Sequence, residues 1–359
     1  MPRPFPFLTA GVLVTLLLAG CGSGTPAAGP DPATPSAAAP TVSVVADRTS
    51  GLVSPWGLAP LPDGSALVSE RDTGRIVLVA SDGSATEAAR VAEAAPDGEG
   101  GLLGVALDPT GTWLYAYVTT AVDNRVVRMP LDDLDAAHEE ILTGIPKAGI
   151  HNGGRIAFGP DGMLYIATGD AAEPDLAQDV GSLAGKILRV DPEGAVPDDN
   201  PFPGSPVFSL GHRNVQGLAF DSRGQLWATE FGSKDADELN LIEPGANYGW
   251  PIIEGTGDDP AYANPQAQWS PTSLASPSGL AIVDDIAYVA SLRGEVLWQV
   301  PLVGDRAATP IALDLGDLGR LRTVEALPDG SLWLMTSNTD GRGDPRETDD
   351  RILVLKISV

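Results

Sequence analysis

The stretch RIAFGPDGMLYIATGD, residues 155–170, reads as two short β-strands joined by a tight turn. Apolar residues fill both arms. Between them, Pro-Asp-Gly supplies a preset φ, a side chain that bonds its own backbone, and a residue free to adopt positive φ. The pattern returns as WGLAPLPDGSALVSERDTGRIVLV from Trp56, LLGVALDPTGTWLYAYV from Leu102, GLAFDSRGQLWATEFG from Gly217 and GLAIVDDIAYVASLRGEVLWQV from Gly279. The last copy is VEALPDGSLWLMTSN from Val324, continued by RILVLKI from Arg351. One small sheet cannot bury two apolar faces alone, so the copies must stack on one another. Six of them predict an all-β fold, a six-bladed β-propeller of four-stranded antiparallel sheets. A pair of β-sandwiches fits six similar units poorly. An extra strand near Val42 to Ala46 is expected to pair into the last blade and close the ring.

Composition agrees with many tight turns, since the 359 residues include 42 Gly and 32 Pro without a collagen period. The formal net charge of -26 excludes a basic stripe of the kind that nucleic acid or an anionic membrane surface requires. An anionic ligand would need a local group of arginines. At the N-terminus, Arg3, an apolar run to Leu18 and then Leu-Ala-Gly-Cys resemble a bacterial lipoprotein signal. Residues 1–20 are expected to be that signal, with Cys21 the lipidated first residue of the mature chain. Residues 21–40, rich in Pro, Ala and Gly, form a tether, and 41–359 the propeller domain. The chain would then be exported and lipid-anchored to the outer face of the bacterial cell membrane. Cys21 is the only cysteine, so the domain must be stable without disulfides.

Ligand-binding residues of a propeller lie where the innermost strands enter the central channel. His151, one of three histidines, stands just before such a strand, and Asp170 ends the strand that folds back beside it. A carboxylate bonded to an imidazole sets its tautomer, as a general base requires. Arg213 and Asn214, in GHRNVQG, hold the equivalent position in the next copy. Ligand recognition and pairing with a nearby acid both remain open for that arginine. Arg293 in SLRGEV, and Arg320 and Arg322 in GRLR, bring further guanidinium groups to the mouth of an acidic protein, which points to a carboxylated ligand. GEGGLLG, residues 98–104, brings Glu99. GSKDADELNLIEPGANYGWP, residues 232–251, mixes carboxylates with turn carbonyls in a way that suits Ca²⁺, without EF-hand spacing.

HNGGR, the Gly169-Asp170 pair, LAGKILRVDPEG, GHRNVQG, DELNLI and NYGWP together resemble the soluble PQQ-dependent sugar dehydrogenases of the glucose/sorbosone family, from about Val42 to Ile357. The resemblance implies pyrroloquinoline quinone (PQQ), a tricarboxylate, and Ca²⁺ as cofactors. It implies oxidation of an aldose C1 hydroxyl to a lactone, with electrons passed to an external acceptor by a monomer or weak dimer. By the same resemblance, His151 is the base and Asp170 its support. Arg213 and Asn214 contact the reactive carbonyl, Arg293, Arg320 and Arg322 hold carboxylates, and Glu99 touches the cofactor. Calcium is implied at the carbonyls of Gly232 and Ser233, and a second ion at Glu238 and the carbonyl of Tyr248. The chain departs from the glucose enzymes at Glu99 (Gln there), Ile150 (Asp), Arg293 (Lys) and Ser233 (Pro). A carboxylate beside a tricarboxylate implies a Glu99 that is protonated or turned away, and the apolar Ile150 implies broad aldose specificity. Two rival readings are a calcium-dependent propeller lactonase and a non-catalytic lipoprotein that binds a sugar or a partner. A lactonase would gather carboxylates around its metal, whereas this chain gathers arginines.

Overall fold

The computed structural model describes residues 39–358. The expected signal, Cys21 and nearly all of the expected tether lie outside the described residues. The hairpin of the opening stretch runs Ile156–Phe158 and Leu164–Ala167, antiparallel, with Ile156 opposite Ile166. Its turn closes through Gly162 N–H donating to the Gly159 carbonyl (2.9 Å), and Gly162 takes a φ of 78°. That angle is open to glycine at little cost. Two further strands, Lys186–Val190 and Val207–Leu210, complete the sheet in simple sequence order.

Six such antiparallel sheets form the described domain. Their innermost strands, Pro55–Pro60, Leu102–Leu107, Ile156–Phe158, Val215–Phe220, Pro277–Val283 and Leu321–Ala326, touch one another in a closed cycle. The architecture is therefore a six-bladed propeller. One blade departs from the expected four strands. The outer edge of the fifth is split between Arg306–Ala307 and Ile311–Leu313, both pairing with Leu297–Val303. Thr41–Thr49 pairs antiparallel with Ile352–Ser358 as the outer strand of the sixth blade, so the two ends of the domain share one sheet.

Burial explains the stacking. Six apolar clusters occupy the six interfaces between successive blades. Between blades two and three, for example, Tyr115, Tyr117, Leu164, Ile166 and Leu188 are all fully buried. Inner strands all run away from one rim, and the hairpin turns cap the other. Loops that enter the inner strands therefore converge at a single mouth.

Truncating one interface should weaken the ring as a whole. Leu164→Ala is expected to lower the unfolding free energy by about 2–5 kcal/mol, measured by urea denaturation.

Candidate functional site

His151 Nδ1 lies 2.7 Å from Asp170 Oδ1. The hairpin makes this possible by returning the chain beside its own entry loop, and His151 itself takes a left-handed φ of 59°. Gly169 permits the approach, because a Cβ there would lie 1.9 Å from the His151 carbonyl oxygen. Asp170 is fully buried and accepts two more hydrogen bonds, from Trp250 Nε1 (2.8 Å, to Oδ2) and from the Ala172 N–H (2.9 Å). On the opposite edge of the imidazole, Arg213 Nη2 is 2.9 Å from Nε2. A guanidinium can only donate, so Nε2 must be the acceptor. The ring is then neutral, with its proton on Nδ1 donated to Asp170 and a lone pair on Nε2 at the mouth.

Arg213 is held from several sides. Its backbone N–H donates to Glu230 Oε1, its Nη1 donates to the carbonyls of Phe231 (3.1 Å) and Gly232 (2.7 Å), and its guanidinium lies 5.4 Å from the Trp250 ring centroid. Glu230 also accepts from His212 Nδ1 (2.8 Å), whose Nε2 meets Ser209 Oγ (2.8 Å) while the ring stacks on Tyr248. This Ser-His-Glu chain has the connectivity of a hydrolytic triad. Ser209 and His212 are nonetheless 0% exposed, so no substrate reaches the hydroxyl. His212 belongs to the frame behind Arg213, not to the reacting surface.

A cavity of about 210 Å³ opens at the mouth, lined by Glu99, His151, Arg213, Arg293, Arg320 and Arg342 with Phe231, Ser276 and Leu292. Arg320 is gripped by Asp340 (2.9 Å). Arg322 differs from the sequence expectation, because it lies within strand Leu321–Ala326 and not before it. Its buried guanidinium donates to Gln216 Oε1 (2.7 Å) beside Trp56, away from the lining of the mouth cavity. Burial lowers it to about 9, still a cation at neutral pH. Among the buried donors that lack any acceptor are Arg213 Nε, Asn214 Nδ2 and Arg322 Nε. Glu99 also departs from expectation. It is neither protonated nor turned away, since it accepts from the His151 N–H (2.9 Å) and from Arg342 (2.8 Å). Burial alone would raise its pKa, but those two donors outweigh it and hold the carboxyl below its ordinary value.

The loop after Phe231 wraps around one carboxylate oxygen. The N–H groups of Ser233, Lys234, Asp235 and Ala236 all donate to Glu254 Oε1, at 2.6 to 3.1 Å. Each peptide plane points its C=O opposite to the following N–H. The carbonyls of Gly232 and Ser233 are thereby turned away from Glu254, and that of Gly232 faces Arg213. Nearby, Glu230, Glu238 and Glu254 line a small void of about 10 Å³ together with Tyr248. Glu238 is pushed up to about 8, chiefly by burial and then by the charge of Glu230. Among the described residues, no group of three His, Cys, Asp or Glu side chains is arranged to hold a metal ion. A cation here would need backbone carbonyls.

The pattern of the glucose/sorbosone dehydrogenase family matches residues 52–353. This chain belongs to that family. Among solved structures, the PQQ-bound form of an aldose sugar dehydrogenase from Streptomyces coelicolor is 52% identical with a TM-score of 0.86, covering 89% of this chain and 99% of that one. Quinoprotein glucose dehydrogenase B of Acinetobacter calcoaceticus is 34% identical across 65% of this chain and 58% of its own length. An aldose sugar dehydrogenase of Escherichia coli K12 is 28% identical across 84% of this chain and 91% of its own.

Three residues of this site escaped the sequence reading. Trp250 stood within NYGWP without a role, Arg342 lies in a loop with no strand signal beside it, and Glu254 reads as one acid among many. Trp250→Phe tests the first of these. Phenylalanine keeps an aromatic face for Arg213 but leaves a buried carboxylate oxygen without its donor, which should cost about 1–3 kcal/mol of stability in urea denaturation.

Proposed function

We propose that this chain is a PQQ- and calcium-dependent aldose dehydrogenase that oxidises the C1 hydroxyl of sugars to lactones and passes electrons to an external acceptor. The observation that carries this reading is a neutral imidazole, its Nε2 lone pair at the mouth, in a pocket that sets four guanidinium groups against one carboxylate. The unpartnered donors of Arg213 and its neighbour Asn214 fit a polycarboxylated quinone. Arg293 and Arg320 would hold its carboxylates from the mouth. PQQ, when bound, supplies the two-electron acceptor for hydride from the sugar C1. His151 takes the hydroxyl proton on Nε2, where the substrate O–H replaces the donation from Arg213. Asp170 keeps the Nδ1 proton in place and stabilises the imidazolium as it forms. The exposed Ile150 at the entrance gives the sugar an apolar edge that discriminates little between epimers.

Calcium, when bound, would supply Lewis-acid polarisation of the carbonyl that receives hydride. The carbonyls of Gly232 and Ser233 fit that donor set, because the Glu254 nest turns both the same way. A second ion at Glu238 and the Tyr248 carbonyl belongs to the same reading, supported by a buried carboxyl whose ionised form is disfavoured by burial and by the charge of Glu230. Export and lipid anchoring through Cys21 complete the proposal, on the strength of the Leu-Ala-Gly-Cys motif.

Titrating PQQ and Ca²⁺ into purified protein, and following aldose-dependent reduction of an artificial dye, tests the whole. Lactone hydrolysis without PQQ would overturn it in favour of a hydrolase. His151→Ala should still bind PQQ yet lose about 10²–10⁴-fold in turnover.

The calcium reading makes a prediction about pH. Glu238 has a folded value above its ordinary 4.5, so the stability linked to its proton is complete below that value and is lost as pH rises through about 8. Metal-free protein should melt at progressively lower temperature between roughly pH 5 and pH 9. Added Ca²⁺ should restore more at the alkaline end, and Glu238→Gln should flatten the slope. A calorimetric series with chelator, with Ca²⁺ and with the variant reads all three.

A further inference from the structure

One charge at the pocket is not explained by the chemistry above. Glu99 donates its N–H to the Gly149 carbonyl (2.9 Å), and its Oε2 accepts the N–H of His151 (2.9 Å). It thus braces the turn in which His151 holds its left-handed φ. Gly98 presses the two loops together, since a Cβ there would lie 2.1 Å from the Gly149 oxygen. The carboxylate cannot turn away without releasing the histidine. It is also held ionised by the donors already described. A fixed anion in the lining repels a carboxylated ligand.

Arg342 offsets it. This arginine comes from the loop between Leu332–Thr336 and Ile352–Ser358 and reaches over the first blade to Glu99 Oε1 at 2.8 Å. Its side chain is half exposed, whereas that of Glu99 is 17% exposed. The loop is not free-standing: the Arg342 N–H donates to Asp340 Oδ1 (2.9 Å), and Asp340 Oδ2 grips Arg320 (2.9 Å). One aspartate therefore sets the positions of two guanidinium groups at the same rim.

We propose that Arg342 is a specificity-determining residue for the anionic cofactor, cancelling the charge of the Glu99 brace and, with Arg320, offering that rim to a carboxylate. The inference rests on the PQQ reading of this pocket. It assigns the Glu99–Arg342 pair to the position where the resembling glucose enzymes carry a neutral glutamine. A neutral side chain there needs no counter-charge.

The test is direct titration of PQQ into the purified full-length protein, followed by calorimetry and by quenching of tryptophan fluorescence, with no sugar present. Wild type is compared with Arg342→Ala, Glu99→Gln and the double variant, each with its melting temperature. Arg342→Ala should weaken PQQ binding by about tenfold or more, the scale of one charge-assisted contact. Glu99→Gln should bind more tightly than wild type, because the glutamine oxygen can still accept from His151 while the anion is gone. The double variant should recover to within about threefold of wild type, because removing the anion removes the need for its counter-charge. Affinity in Arg342→Ala equal to wild type overturns the proposal, as does a double variant as weak as Arg342→Ala. Equal losses of affinity and melting temperature in all three variants would make the pair a brace of the fold alone, and also overturn it. Wild-type protein that fails to bind PQQ would instead remove the cofactor reading, and this one with it.

Discussion

Sheets that are apolar on both faces have to be covered on both faces, and among the described residues nothing but another such sheet is available to do it. That constraint turns a row of hairpins into a ring, because in a ring no sheet is left at an end. The six interfaces each hold their own apolar cluster. The polar consequence follows at the rim. Loops that would be scattered on an open stack are brought together, so that residues as far apart in sequence as Glu99 and Arg342 hydrogen-bond.

Buried charge is organised in layers around the imidazole. His151 touches Asp170 and Arg213 directly. Behind these stand Trp250, Glu230 and His212, and in the neighbouring loop the nest on Glu254. Trp250 donates to Asp170, Glu230 accepts from the Arg213 backbone, and His212 bonds to Glu230 in turn, so the geometry at the imidazole is inherited instead of being set by packing alone. Such support matters most where groups are desolvated, since a donor that loses its partner in a buried place regains none from water.

What the sequence made legible follows the same division. The fold was readable because turn chemistry and strand alternation are local, and the copy at residues 155–170 shows both within one hairpin. His151 and Asp170 were readable as neighbours for that reason. Trp250 was not, because its hydrogen bond to Asp170 links loops of different blades and exists only once the ring has closed. For Arg322 the sequence shows the right neighbourhood but not the depth, since one residue of strand onset decides whether a side chain stands at the rim or inside the channel. Glu99 shows only its charge in the sequence, and that charge is answered by an arginine that no local pattern ties to it.

The seam in the sixth blade carries a consequence in time. Thr41 pairs with Ser358, so the strand that opens the domain finds its partner only when the last residues of the chain are present. Contacts of such separation form slowly, because nearly the whole chain must be brought to order before they add any stabilisation. During that wait Thr41–Thr49 is an unpaired edge, the kind of segment that recruits foreign strands. Its composition tempers the hazard: TVSVVADRT carries Asp47 and Arg48 and leaves most of its side chains in solvent even in the finished sheet. The strand that must wait longest thus carries charges of both signs on its edge, and maturation of the ring ends where its synthesis began.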